Sequence, residues 1–578
     1  MSEGASSSRG LSDRALAVGL GILLVPAILL WIWGGIAGAL FGSEWPHVTS
    51  AQLASVLINL PSNFADPRKA WPTGLRGALP GPLGFYAALT LLALAVVAAG
   101  LAVARIRLRI GSNAVEKPNK QGARWARRAE LSALDRASTW RPKRNRRAAD
   151  SARLALGFRG SRLLRTEQRH ALVAFGPPQS GKSAGLAVGA LLEWDGPAIA
   201  SSIKTDVLQA TIARRRKLGR VYVFDPFGLS GQSGSGWSPL SAVTTFDDAL
   251  EVAHRIASAG EVDQRTVESG EFWTVAAEQR LAPLLYVAAR AGRGVDALVR
   301  WGYGQGDHEL NEELEALLRA APTDGERLDA QAAYDAAAAF RSQPDRTRGS
   351  IEGTVQTLLR AYRFTRVQRS ALASDIRPEA LLGGTNTVYL VGDSKASRLL
   401  RPIFLALLGE LIDRAYLKAN LNGGWLPRPL LLCLDELGNV APLPTLAEIA
   451  SSAPSHNIQL VSIFHDLAQA RARYGQHAET VLNSHRARML LPGVADLATL
   501  QYFSGLVGEQ LAREESRTTG PSYLARSDHP TRRPLAPAEQ LRQLPDGHAL
   551  LIYGRLPPAI LRLRMWFNDK HLSTLANG

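Results

Sequence analysis

The chain carries one cysteine, Cys433, in 578 residues. An internal disulfide is therefore excluded, and a cysteine-built metal cluster has no ligands. Cys433 lies in an apolar run and reads as a small buried hydrophobe. Acidic residues are scarce in one place: residues 101–170 hold 19 Lys/Arg against 5 Asp/Glu, nearly the whole of the net +16, and the rest of the chain is close to balanced. A basic block of this kind points to polyanions, either nucleic acid or anionic lipid headgroups. For Arg141 to Arg147 (RPKRNRR) both readings stand. Charge is missing altogether from residues 15–41 and 82–104, runs of 27 and 23 residues. A helix needs about 20 apolar residues to cross a bilayer. The first run is too long for the core of a signal peptide, and a second run follows it.

Two membrane spans are thus expected, with Trp31, Trp33 and Trp45 at an interface. Arg105, Arg107, Arg109, Lys117 and Lys120 follow the second run, whereas the segment between the runs carries only Arg68, Lys69 and Arg76. The positive-inside rule then places both termini and everything from Arg105 onward in the cytoplasm, with the loop 42–81 outside.

What the chain does have is a phosphate-binding signature. Gly176-Pro177-Pro178-Gln179-Ser180-Gly181-Lys182-Ser183 follows the apolar run 171–175 and precedes a helix-compatible stretch from Ala184. Glycines let backbone N–H groups turn inward around phosphates. Lys182 supplies charge to the β- and γ-phosphates, and the Ser183 hydroxyl suits Mg²⁺. The cofactors this implies are ATP and Mg²⁺. A second strand ending in acid is required, and 429–434 followed by Asp435-Glu436 supplies it. Asp435 is expected in the Mg²⁺ shell with Ser183, and Glu436 beside the attacking water; an Asp-Glu pair points to an ATP-hydrolysing motor. Lys182, Asp435 and Glu436 are the candidate catalytic residues.

Further short apolar runs at 198–203, 221–224, 387–392, 458–464 and 487–491 alternate with helical patterns, which predicts a parallel α/β sheet with ligands at its carboxyl ends. Lys204 and Asp206 close one of these strands, where loops converge on the nucleotide; a functional and a surface-loop reading both stand. From 241 to about 380 the strand pattern stops and Ala-rich helical patterns take over, so an all-α domain is expected as an insertion, either a structural cap or a substrate-contacting module. The domains read as 1–104 membrane anchor, 105–168 basic juxtamembrane segment, 169–240 first nucleotide-binding part, 241–380 all-α insertion, and 381–578 second nucleotide-binding part with the C-terminal segment.

Leu434-Asp435-Glu436-Leu437-Gly438-Asn439-Val440-Ala441-Pro442-Leu443-Pro444, with Ala468-Gln469 and Tyr474-Gly475 downstream, resembles the extended acidic-strand signature of the TraG/TraD-type IV coupling proteins. Phe272-Trp273 with Glu278, and the tail from Leu541 to Leu551 with Pro557-Pro558, are similar to other parts of that family. The resemblance implies a RecA-like ATPase with an inserted all-α domain and two N-terminal spans. It also implies assembly as a homo-hexamer that passes a relaxase–single-stranded DNA complex to a type IV secretion channel at the membrane. It assigns ATP binding to the loop from Gly176 to Ala184 and raises Lys204 and Asp206 to site-adjacent residues. After the strand 458–464 the family usually has a glutamine near the γ-phosphate; this chain has His465, a neutral donor with its own pH dependence. The arginine contributed in trans is open among Arg473, Arg486 and Arg488. Protein-effector secretion by the same motor, an FtsK-type DNA translocase, and a membrane scaffold that only binds ATP are the competing functions.

Overall fold

The computed structural model describes residues 28–110, 122–135, 152–264, 270–520 and 523–578, with the side chains of 99–110, 260–271 and 513–530 left aside. Residues 15–27 of the first predicted span and the basic run Arg141 to Arg147 lie outside the described residues. The chain divides into two compact units, Met1–Asn119 and Lys120–Gly578.

The first unit has a helix over 28–41, a helix Ser50–Asn59 and a helix Pro82–Ile110. Thr49 starts the middle helix through a reciprocal cap with Gln52. The connecting segment is folded: Trp71 is 1% exposed and packs with Trp33, Val56 and Phe85. The Trp33 indole N–H donates to the Phe85 carbonyl at 2.7 Å. Along Pro82–Ile110, Leu83, Leu94, Val96 and Val97 point outward. Among the described residues no helix is long and apolar enough to cross a membrane.

The second unit is built on an eleven-stranded sheet. Its strands in chain order are β1 (Ala155–Arg159), β2 (Arg162–Arg165), β3 (Leu172–Phe175), β4 (Ala198–Ser202), β5 (Val221–Phe224), β6 (Thr387–Val391), β7 (Leu430–Leu434), β8 (Ile458–Phe464) and β9 (Ala487–Leu490). After a separate hairpin, β10 (Glu509–Gly520) and β11 (Tyr523–Pro534), come β12 (His548–Tyr553) and β13 (Ala559–Arg562). The spatial order is β2-β1-β13-β12-β9-β3-β8-β7-β4-β6-β5. From β9 to β5 all pairings are parallel. Strands such as Leu430–Leu434 and Ile458–Phe464 are buried at every position, as a parallel sheet covered on both faces requires.

The sheet departs from the all-parallel expectation at its other end, where β12, β13, β1 and β2 run antiparallel. β1 and β2 come from the segment read as juxtamembrane, so its last part is sheet edge. Arg165 of β2 and Arg564 after β13 both pair with Glu193, at 2.8 and 2.7 Å, fastening this extension to the helix Val188–Glu193 behind the phosphate loop. The chain leaves the sheet after β5 and returns at the neighbouring β6. Between them lie the helices Phe246–Gln264, Gly270–Arg290, Gly294–Gly302, Asp307–Ala320, Asp324–Arg341 and Asp345–Leu359.

Arg215, on the helix Asp206–Leu218, is wholly buried and clasps the start of β6 to the turn before β4. It donates to the Thr387 hydroxyl and the Gly196 carbonyl at 2.7 Å each, and to the Trp194 carbonyl. Burial pulls its pKa down to about 10. Truncation to alanine orphans those acceptors. Arg215→Ala is expected to lower unfolding stability by about 1–3 kcal/mol for each acceptor left unpaired, read as a fall in denaturant midpoint; an unchanged midpoint would show that the clasp is dispensable.

Candidate functional site

The site lies at the carboxyl mouth of the parallel strands. β8 stands between β3, which feeds the phosphate loop, and β7, which ends in Asp435-Glu436. The loop leaves β3 at Gly176, whose N–H donates to Phe464 at 3.1 Å. A Cβ at Gly176 would collide with the Ser180 hydroxyl, and one at Gly181 with Met565. Gln179 (φ 67°) and Gly181 (φ 88°) adopt left-handed backbone, which curls the loop. Pro178 and Gln179 are exposed at the lip, Pro177 is half-buried, and Ser180 is buried with its hydroxyl unpartnered. The following helix begins with a π-turn, Ser183–Ala187, and the Ala184 carbonyl accepts the Trp566 N–H at 3.2 Å.

Lys182 is 4% exposed. Its ammonium donates to the Gly176 carbonyl at 3.1 Å and to His465 Nδ1 at 2.9 Å, and stands 3.8 Å from a Glu436 oxygen. Burial pulls its pKa below the ordinary lysine range, opposed by the charges of Glu436 and Asp435. A lysine only donates, so Nδ1 is the acceptor and the imidazole proton sits on Nε2. That nitrogen lies 3.4 Å from the Asn439 Nδ2, which is also a donor, so the two do not hydrogen-bond in this tautomer. Burial, reinforced by the Lys182 charge, lowers the His465 pKa and keeps the ring neutral. The His465 backbone N–H is held by Gln469 Oε1 at 2.9 Å. Gly438 makes room for this, since a Cβ there would strike the Gln469 side chain.

Asp435 is 2% exposed. Its Oδ2 accepts from the Ser183 hydroxyl at 2.7 Å and the Ser202 hydroxyl at 3.2 Å, while Oδ1 is buried with no partner. Burial raises its pKa to about 6, against the Ser183 hydrogen bond. Glu436 sits at φ 53°, ψ 43°, a left-handed conformation that a non-glycine residue rarely holds outside functional sites. Lys204 and Asp206 are exposed at the end of β4 and act through space, Lys204 on Lys182 and Asp206 on Asp435.

The donor set fits a hard divalent cation: a hydroxyl and a carboxylate oxygen side by side, the carboxylate with an orphaned second oxygen. Among the described residues no group of three or more His, Cys, Asp or Glu could hold a metal alone. Such an ion would have to complete its shell with phosphate oxygens and water, the usual habit of Mg²⁺.

The family "Type IV secretory system Conjugative DNA transfer" matches residues 124–577. The chain belongs to this family. It is similar to the conjugal transfer protein TraG of Escherichia coli, at 24% identity over 70% of the chain and 68% of TraG. Against VirD4 of Agrobacterium fabrum the identity is 23%, over 72% of the chain and 61% of VirD4. In fold it is similar to the bacterial conjugative coupling protein TrwB (TM-score 0.55, 17% identity, 78% of this chain and 95% of that one). TrwB in complex with ADP and Mg²⁺ gives a TM-score of 0.54 at 18% identity, covering 78% of this chain and 96% of that one.

Within this conjugative DNA-transfer family member, sequence reasoning did not single out Ser202, Asn439 or the role of Gln469. Ser202 reaches Asp435 through strand register, because β4 pairs with β7 with Ser201 opposite Leu434. Of the three trans-arginine candidates, Arg486 and Arg488 lie at the amino end of β9, away from their own phosphate loop. Arg488 is engaged there with the Leu482 carbonyl at 2.9 Å. Arg473 sits on the helix Leu467–Tyr474 that follows His465.

Metal ligation needs Asp435 ionised, and the ligand-free value is about 6. The folded value lies above the unfolded one, so the buried carboxylate costs stability above about pH 6 and not below about pH 4. Mg²⁺-dependent nucleotide affinity is expected to be level above about pH 6 and to fall about tenfold per pH unit below it. Fluorescent-nucleotide titration across that range checks this. Asp435→Asn should lack the acid fall; the same fall in that variant would assign the titration elsewhere.

Proposed function

We propose that this chain is a membrane-anchored coupling ATPase. It recruits a relaxase–single-stranded DNA complex and drives it into a type IV secretion channel during conjugation, working as a homo-hexamer with its ATPase unit in the cytoplasm. The observation that carries the reading is the convergence of Lys182, Ser183, Asp435, Glu436 and His465 at one mouth, in a member of a conjugative DNA-transfer family.

The chemistry follows from these groups. The loop from Gly176 to Ala184 offers backbone N–H groups to phosphates. Lys182 gives up its contacts to Gly176 and His465 for the β- and γ-phosphate oxygens. Ser183 and Asp435 would hold Mg²⁺, which would neutralise phosphate charge. Glu436 orients water and accepts its proton. His465, neutral and protonated on Nε2, has one N–H to give to the terminal phosphate. Exposed Lys204 and Asp206 edge the mouth.

Anchoring is supported by the two charge-free runs, by the outward apolar side chains of Pro82–Ile110 and by the basic residues that follow, which suit anionic lipid. The strands β12 and β13 pair within the main sheet, between β9 and β1, so the segment from His548 to Arg562 belongs to the same unit as the phosphate loop.

Lys182→Ala is expected to abolish conjugative transfer while the protein stays in the membrane fraction; normal transfer would sink the motor reading. Glu436→Gln should bind ATP and hydrolyse it about 100-fold more slowly, measured as single-turnover phosphate release by the full chain with single-stranded DNA. Unchanged turnover would remove Glu436 from the chemistry. DNA binding should weaken steeply with salt, and stimulation of turnover by secreted protein but not DNA would shift the cargo to protein effectors.

A further inference from the structure

The inserted helices enclose a cavity of about 310 Å³. Phe246, Leu250, Ala276, Ala336 and Phe340 give it apolar walls. Gln279 and Ala339, both exposed, border its opening. Two polar side chains complete the lining, Arg280 and Gln343.

Arg280 is the anomaly. It is 2% exposed. Its guanidinium lies over the Phe340 ring, 4.2 Å from the centroid. Its polar contacts are long: 3.4 Å to the Trp301 carbonyl and 3.5 Å to Asp307. The Asp307 side chain is 55% exposed, so water screens much of that attraction. Glu352 and Arg341 act on Arg280 only through space, with opposite signs. Its Nε has no hydrogen-bond acceptor, and the Gln343 Oε1 in the same cavity has no donor. A buried cation so weakly compensated is costly, as is an unpaired buried amide oxygen. An apolar chamber ending in an under-paired guanidinium, with an acceptor beside it, is complementary to one kind of group.

We propose that this cavity is a binding site for a carboxylate carried on a small branched apolar group. The carboxylate meets Arg280, the apolar group fills the space between Phe246, Leu250 and Ala336, and an N–H on the ligand donates to Gln343. Two sources share this chemistry: the C-terminal residue of a peptide chain, which brings both carboxylate and N–H, and a free short-chain acid, which brings the carboxylate alone. The site is remote from the phosphate loop in sequence and uses none of its residues, so it stands whether or not the motor reading does.

The test is calorimetric titration of the full chain in detergent with N-acetylleucine, N-acetylleucinamide and isovalerate. Saturable binding of N-acetylleucine at least about tenfold tighter than its uncharged amide is expected, the scale of one charge-assisted contact. Arg280→Gln should erase that preference. Gln343→Leu leaves Arg280 in place and loses only an unpaired acceptor; it should weaken N-acetylleucine and spare isovalerate. N-acetylleucine binding well above isovalerate in the wild type identifies a peptide end, and equal binding identifies a free acid. Equal affinity for N-acetylleucine and its amide, or no saturable binding of any carboxylate, would overturn the proposal.

Discussion

One ammonium group governs the nucleotide mouth. Lys182 is 4% exposed, and every partner it has is a backbone carbonyl, an imidazole nitrogen or a carboxylate supplied by a different strand end. Removing a charge from water is costly unless its surroundings are arranged for it. That requirement fixes the rest. It forces His465 into the tautomer that accepts at Nδ1, it calls for Glu436 to turn back through a left-handed backbone, and it leaves the buried Asp435 to two serine hydroxyls, with a pKa raised to about 6. Without ligand the cluster is held by its own contacts: Lys182 to Gly176 and His465, and Asp435 to Ser183 and Ser202.

The sheet order makes this possible. With β8 inserted between β3 and β7, the phosphate loop and the acidic pair are separated by one strand, and the residue after that strand falls between them. His465 therefore stands against Lys182 by topology. The antiparallel extension adds support from behind. Met565 and Trp566 pack against Gly181 and Ala184, and Arg165 and Arg564 grip Glu193 at the far end of the same helix.

Much of this was legible from residues alone. The phosphate loop reads from its own spacing, and the buried parallel strands read as continuous apolar runs because both faces are covered. The outer antiparallel strands β1 and β2 were not legible. β1 and β2 are short, arginine-bearing and half-buried, so their charge drew the eye to membrane and nucleic acid rather than to a sheet edge. The hairpin β10–β11, with charged and polar residues throughout, carries no apolar alternation to announce it. The helix Gly294–Gly302 begins and ends on glycine, a residue that weakens a helical pattern in sequence. Within the site, pairwise facts such as Ser202 on Asp435, or Gln469 passing over Gly438, depend on strand register and close approach, which a linear pattern does not encode.

The most direct test is a structure of the full chain with Mg²⁺ and a non-hydrolysable ATP analogue. The account requires the terminal phosphate at Lys182 and His465, with the cation on Ser183 and reached by Asp435. A nucleotide bound with Lys182 still turned to His465 and Gly176, or a cation that leaves Asp435 unengaged, would contradict it.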